Sequence, residues 1–328
     1  MNARAIADNV NRWIYRRFVF LYLLLAVAGY STVYIKQYAD YPIRSDGLGY
    51  YSYLPALFVY RDVGMRKVYR IVHKQAPCLY QGLKPKRYFD KYPMGEAMMM
   101  VPFFLVADLL TILFRYERDG FSVFYQHAAG LSGVAYSALG IYFLRKILDK
   151  YFSAAISLAV LVAITFGTDL FHYGTYDSIF SHAYSFFLFC VFFDCIPRWI
   201  ENPNRRRSTV LGLIFGMICL TRNPNALILV YASLFVLCTL PNFKARLDFV
   251  RCNYKNIVRI GILSILVFIP QLCYWKFATG KWLVDSYGSQ GEHFNFLTPH
   301  LMVCSLVSGR VCSSGLQSCC CPLPVWQE

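Results

Sequence analysis

The segment SDGLGYYSYLP, residues 45–55, carries the residue types that a group-transfer site needs. Asp46 is a carboxylate able to take a proton from an acceptor hydroxyl or amine, or to hold a divalent cation. Gly47 and Gly49 would let backbone approach a ligand closely, and Tyr50 and Tyr51 would offer faces on which a sugar can stack. An Asp in a glycine-rich turn could equally bond its own backbone. Asp40, a little earlier, is a weaker form of the same case. Lys91, in DKYPMGE with Tyr92 beside it, could neutralise a phosphate leaving group or snorkel to the membrane interface. Asp177 and His182 belong to FGTDLFHYGTYDSIFSHAYSF, at the mouth of an apolar run. Arg222 lies in TRNPN, between two short apolar pieces. An unpaired buried Arg is costly, so Arg222 at depth points to an anionic ligand. No GxGxxG fingerprint, Walker motif, HExxH or CxxC pair occurs. Nothing therefore indicates a cytoplasmic nucleotide site, and a donor already attached to lipid fits better.

The elements that must position these residues are membrane helices. Of 328 residues, 57% are hydrophobic and 18% aromatic, and the mean hydropathy is +0.40. That composition describes an all-α polytopic membrane protein. The formal charge is +15. The basic residues fall mostly between apolar runs, which assigns them to orientation and anionic lipid rather than to nucleic acid. The twelve cysteines show no metal-ligand spacing, and several sit inside apolar runs as small hydrophobes.

The basic loops set the expected topology. Arg4, Arg12, Arg16 and Arg17 keep the N-terminus cytoplasmic, residues 18–35 cross, and the loop 37–96 lies outside. Arg145, Lys146 and Lys150 mark the next cytoplasmic loop, so only one of 97–114 and 124–144 can cross. Residues 97–114 contain Pro102 and Asp108 and read as a juxtamembrane or re-entrant helix at the outer face; 50–60 read as a second, shorter one. Crossings at 154–171, 183–196, 208–220, 226–240 and 257–275 follow, about seven in all. The pieces flanking Arg222 are too short for a bilayer, so that turn sits below the outer surface, lining a cavity. A second outer loop covers 276–302.

These pieces in this order resemble the GT-C glycosyltransferases, the group that holds protein O-mannosyltransferases and lipid A aminoarabinose transferases. The matching features are the acid of the first outer loop (Asp46), the Lys-Tyr-Pro element before a juxtamembrane helix (Lys91, Tyr92, Pro93), and the order of spans. FGTDLFHYGTYDSIFSHAYSF and YWKFATGKWLVDSYGSQGEHFNFLTP are similar to bacterial members. The resemblance covers residues 1–302. It implies a GT-C-like helical bundle in the bacterial inner membrane and a polyprenyl-phosphate sugar donor. It also implies inverting transfer on the outer face to a glycan, lipid or protein acceptor, with the first-loop Asp as catalytic. Many members carry an acidic pair where this chain has a single Asp in SDG, which leaves base and metal ligand both open.

Residues 303–328 change character. Five of the twelve cysteines fall there, and a shifted reading frame across them can encode a further apolar segment. This tail reads as the product of a frameshift in a truncated chain. The rival class is a transporter or flippase of an anionic amphiphile. It would share the basic outer loop and Arg222 but would more often show repeated halves, and none is evident.

Overall fold

The computed structural model describes residues 3–36, 41–73, 78–83 and 85–285. In chain order its helices and strands are α1 (Ala3–Ser31), α2 (Ser45–Leu54), α3 (Arg66–Val72), β1 (Leu79–Gln81), β2 (Tyr88–Asp90), α4 (Gly95–Leu113), α5 (Val123–Leu148), α6 (Ala154–Gly167), α7 (Leu170–Tyr173), α8 (Ser181–Glu201), α9 (Arg205–Thr221), α10 (Ile228–Thr239) and α11 (Phe243–Thr279). Among the described residues, four helices are long and apolar enough to cross a membrane: Trp13–Tyr34, Gly95–Leu113, Ser181–Glu201 and Phe243–Thr279. The fold is that of an all-α membrane protein.

Of the expected crossings, 18–35, 183–196 and 257–275 fall in these helices, whereas α6, α9 and α10, expected at 154–171, 208–220 and 226–240, are too short to be among them, and two further differences concern α4 and α5. Gly95–Leu113, expected at the outer face, is one of the four helices of spanning length and hydropathy. Helix α5, expected to cross, is not, because it carries Gln126, His127, Ser132, Gly133, Ser137 and Gly140. Most of these face other helices, where small and polar residues permit close packing. Hydropathy alone undervalues such a central helix.

α1 lays a stripe of Tyr15, Phe18, Tyr22, Ala26 and Tyr30 into the core at helical spacing. It runs antiparallel to α5: Tyr22 donates to Ser137 Oγ at 2.8 Å, and the Tyr30 ring covers Gly130. α4 packs only along the first half of α5. Phe114, just past its end, stacks on Phe124, Tyr125 donates to Asp108 at 2.6 Å, and Tyr136 donates to the Met99 carbonyl at 2.8 Å. α8 runs parallel to α5, with Tyr184 bonded to Ser132 and Lys150 bonded to Asp194. α9 and α11 meet through Gly212 and Gly216, and Ser264 Oγ donates to the Gly212 carbonyl at 2.9 Å.

The first loop is built, not open. α2 begins earlier than the expected 50–60 helix and includes Asp46 in its first turn. β1 and β2 pair antiparallel, Tyr80 opposite Phe89. This ribbon docks on the end of α11: Leu83 N–H donates to the Ala278 carbonyl at 3.2 Å, and Asp90 N–H donates to the Tyr274 hydroxyl at 3.1 Å. The chain divides into two units, Met1–Trp282 and Leu283–Glu328. From residue 286 the second unit lies outside the described residues, and with it most of the expected loop 276–302 and all of the tail 303–328.

Candidate functional site

The N-terminus of α2, the turn before α4, the C-terminus of α9 and the α7–α8 connection converge. Asp46 is half-buried and makes no side-chain hydrogen bond or ion pair among the described residues. It lies within electrostatic reach of Glu96, Cys78 and Tyr173.

Glycine explains the close assembly around it. Side chains at Gly47 and Gly49 would collide with Ile179 and with the Tyr92 ring. These glycines bring α2 against its own protein, rather than opening its backbone to a ligand as their positions suggested. Two glycines inside a helix cost about 1 kcal/mol each relative to alanine, which the contacts must offset.

Asp90 and Glu96 are the residues that sequence reasoning missed. Both are fully buried. Asp90 Oδ1 accepts the Tyr92 N–H at 2.9 Å, while Oδ2 has no partner among the described residues. Burial pushes the Asp90 carboxyl well above the usual carboxylate range, against a smaller downward pull from that hydrogen bond. Both carboxyl oxygens of Glu96 are likewise without a partner among the described residues. The cation with the strongest field at Glu96 is Arg222. Gly95 makes that proximity possible, because its bare Cα lies against the Leu220–Thr221 peptide at the end of α9. The available signal was an acid in the first turn of an apolar helix.

Arg222 follows the last turn of α9. Its side chain is half-buried and makes no hydrogen bond or ion pair among the described residues. The turn carrying it is fixed by Asn225, whose side chain donates to Ser185 Oγ at 3.0 Å. His182, exposed in the first turn of α8, stacks on Tyr173 at 3.9 Å and lies in the field of Arg222. The Tyr173 phenol is pushed up by burial and then by Asp169 and Asp177. Lys91 is buried, with its ammonium 5.6 Å over the Tyr92 ring.

The remaining expected residues are occupied by the protein itself. Tyr50 and Tyr92 are buried with ring centroids 4.4 Å apart, and Tyr50 donates to Ser181 Oγ at 3.2 Å. Tyr51 is buried between Phe104 and Phe121 and donates to the Gly120 carbonyl at 2.6 Å. These rings pack the loop, so their faces are not an open sugar platform. Asp177 pairs with Arg44 at 3.1 Å and with His172 Nε2 at 2.8 Å. Asp40 lies outside the described residues. Among the described residues no three His, Cys, Asp or Glu side chains come close enough to hold a metal ion.

The site thus joins a half-exposed carboxylate, two buried carboxyls with spare oxygens, and a guanidinium with no partner among the described residues. The chain matches no protein-family model, curated protein or solved structure.

Proposed function

We propose that the chain is a membrane glycosyltransferase of GT-C type, moving a sugar from a polyprenyl-phosphate donor to a cell-envelope glycan, lipid or protein on the outer face. The observation that carries this reading is that Asp46 and Arg222 both lie within electrostatic reach of Glu96 and Tyr173, while neither side chain makes a hydrogen bond or ion pair among the described residues. A carboxylate and a guanidinium held apart at such a site suit a ligand that offers a proton to one and a phosphate to the other. The GT-C resemblance of the sequence supports the same assignment.

In this mechanism the acceptor oxygen bonds to the anomeric carbon as the anomeric carbon–oxygen bond to phosphate breaks. The acceptor proton passes to Asp46. The bond electrons leave with polyprenyl phosphate, whose charge is met by Arg222 and Lys91. The seven-crossing topology belongs to this proposal. In it α4 is a re-entrant helix that rises from mid-depth beside the outer half of α5. Its packing from Met99 at Tyr136 to Phe114 at Phe124 supports that course.

The test is transfer of labelled sugar from a polyprenyl-phosphate donor in membranes that carry the chain or its Asp46→Asn form. Transfer that depends on Asp46 is expected. Absence of transfer, with movement of the intact donor between leaflets instead, would replace the enzyme with a flippase.

A further inference from the structure

One face of α2 is held by a single neighbouring segment. Residues 177–181 run along its face in register: Asp177 on Arg44, Ile179 on Gly47, Ser181 on Tyr50. Positions 44, 47 and 50 are three apart and so share one side of the helix. Asp46 lies beside that contact line, on the adjoining face. At the open end of the register Arg44 meets Asp177, and its guanidinium also sits 4.2 Å over the Tyr176 ring. Asp177 is steadied in turn by His172, and the Tyr34 hydroxyl of the segment following α1 donates to the Tyr176 carbonyl. Next to Arg44, Ile43 N–H donates to Gln126 Oε1 at 3.0 Å. The residue at which α2 begins is therefore tied to α1, α5 and the α7–α8 connection together.

We propose that Arg44 is a positioning residue for Asp46: its ion pair with Asp177 fixes the start of α2, and with it the direction in which Asp46 faces the substrate. This rests on the reading of Asp46 as the base, and it reassigns Asp177 from substrate contact to support. Arg44 reaches the chemistry only through α2. Its loss should lower turnover while leaving donor recognition intact, since misplacement of a reacting group by a fraction of an ångström is costly.

The experiment combines kinetics with hydrogen exchange on the full chain. Arg44→Gln should lower kcat roughly tenfold or more and leave the donor KM within about twofold. Asp177→Asn should match it, and the double variant should be no worse than the poorer single one. Arg44→Lys, which keeps the charge but not the planar fork, should recover part of the loss. Amides of residues 45–54 should exchange faster in Arg44→Gln than in the wild type, with α5 and α8 unchanged. Additive losses, or a raised KM with kcat intact, would place Arg44 or Asp177 on the substrate and overturn the proposal. Unchanged exchange in α2 would overturn it as well. If the wild-type chain transfers no sugar, the exchange arm alone decides whether Arg44 fixes α2, so failure of the enzyme reading stays distinct from failure of this one.

Discussion

Asp194 and Glu96 are both fully buried acids in apolar helices, and they are treated in opposite ways. Asp194 Oδ1 lies 2.7 Å from Lys150 Nζ and Oδ2 lies 3.2 Å from Lys146 Nζ, and Arg198 on the next turn joins them. Glu96 has no bonded partner among the described residues for either oxygen, although Arg222 and Asp46 are within electrostatic reach. A buried charge used only for architecture should be saturated, because every unpaired polar atom costs stability. The Asp194 node meets that expectation, with three cations on one carboxylate. The cluster around Asp46, Asp90, Glu96 and Arg222 does not.

If that contrast is one of function against architecture, substitutions at the two ends should separate activity from stability. The largest effect is expected at Asp46. Asp46→Asn keeps the shape and removes the base, so turnover should fall by roughly 10²-fold or more while melting temperature and donor binding stay near wild type. Turnover within about twofold of wild type would remove the chemistry from this end. At the other end, Asp194→Asn leaves three cations without their carboxylate. Its cost should be roughly 2–3 kcal/mol, below that of a fully enclosed pair because Lys146, Lys150 and Arg198 reach solvent. A lower melting temperature with unchanged turnover per folded molecule is the expected result; lost turnover at constant stability would make the node functional.

Arg222→Lys comes next. It keeps the charge but gives up the bidentate fork, so binding of polyprenyl phosphate should weaken about tenfold, the worth of one charge-assisted hydrogen bond. Equal affinities in a direct titration would make Arg222 structural. The smallest effect concerns Asp90. Burial raises its carboxyl in the folded chain, so the folded state keeps a proton that the unfolded chain releases near pH 4. The resulting stability is complete below that pH and is lost as pH rises towards the folded value. Asp90→Asn should flatten this decline, and its melting temperature relative to wild type should rise between pH 4 and 8. A difference that stays constant with pH would mean that Asp90 holds one charge state throughout.

Much of the architecture was legible in the residues. Bilayer-length apolar runs mark α1, α8 and the later part of α11, because the membrane fixes their length. Asp46 and Arg222, singled out on residue type and position, both lie within electrostatic reach of Glu96 and Tyr173. The local readings failed where a distant element decides the outcome. Gly47 and Gly49 look like openings for a ligand until Ile179 and Tyr92 are seen to fill the space. Tyr50, Tyr51 and Tyr92 look like a stacking platform until their neighbours bury them. Asp90 and Glu96 draw no notice in the sequence because nothing nearby reveals that Tyr274, Gln271 or the end of α9 will enclose them. Gln271, for instance, reaches across 177 positions to accept the Met94 N–H.

The docking of the β1–β2 ribbon on the end of α11 also bears on the order of assembly. Arg87 donates to the carbonyl of Phe277, 190 residues later in the chain. Contacts between such distant partners form late, because a long loop must close before they give any return. Synthesis proceeds from the N-terminus at about 5–20 residues per second, so the ribbon waits on the order of ten seconds or more for the helix end that completes it. During that interval the first loop must persist on the membrane surface with Asp90 uncovered. Its ten basic residues would hold it against anionic headgroups, in the plane where α11 later arrives. On the proposed reading, the first loop would become competent only once α11 is inserted, which ties it to a helix made much later in synthesis.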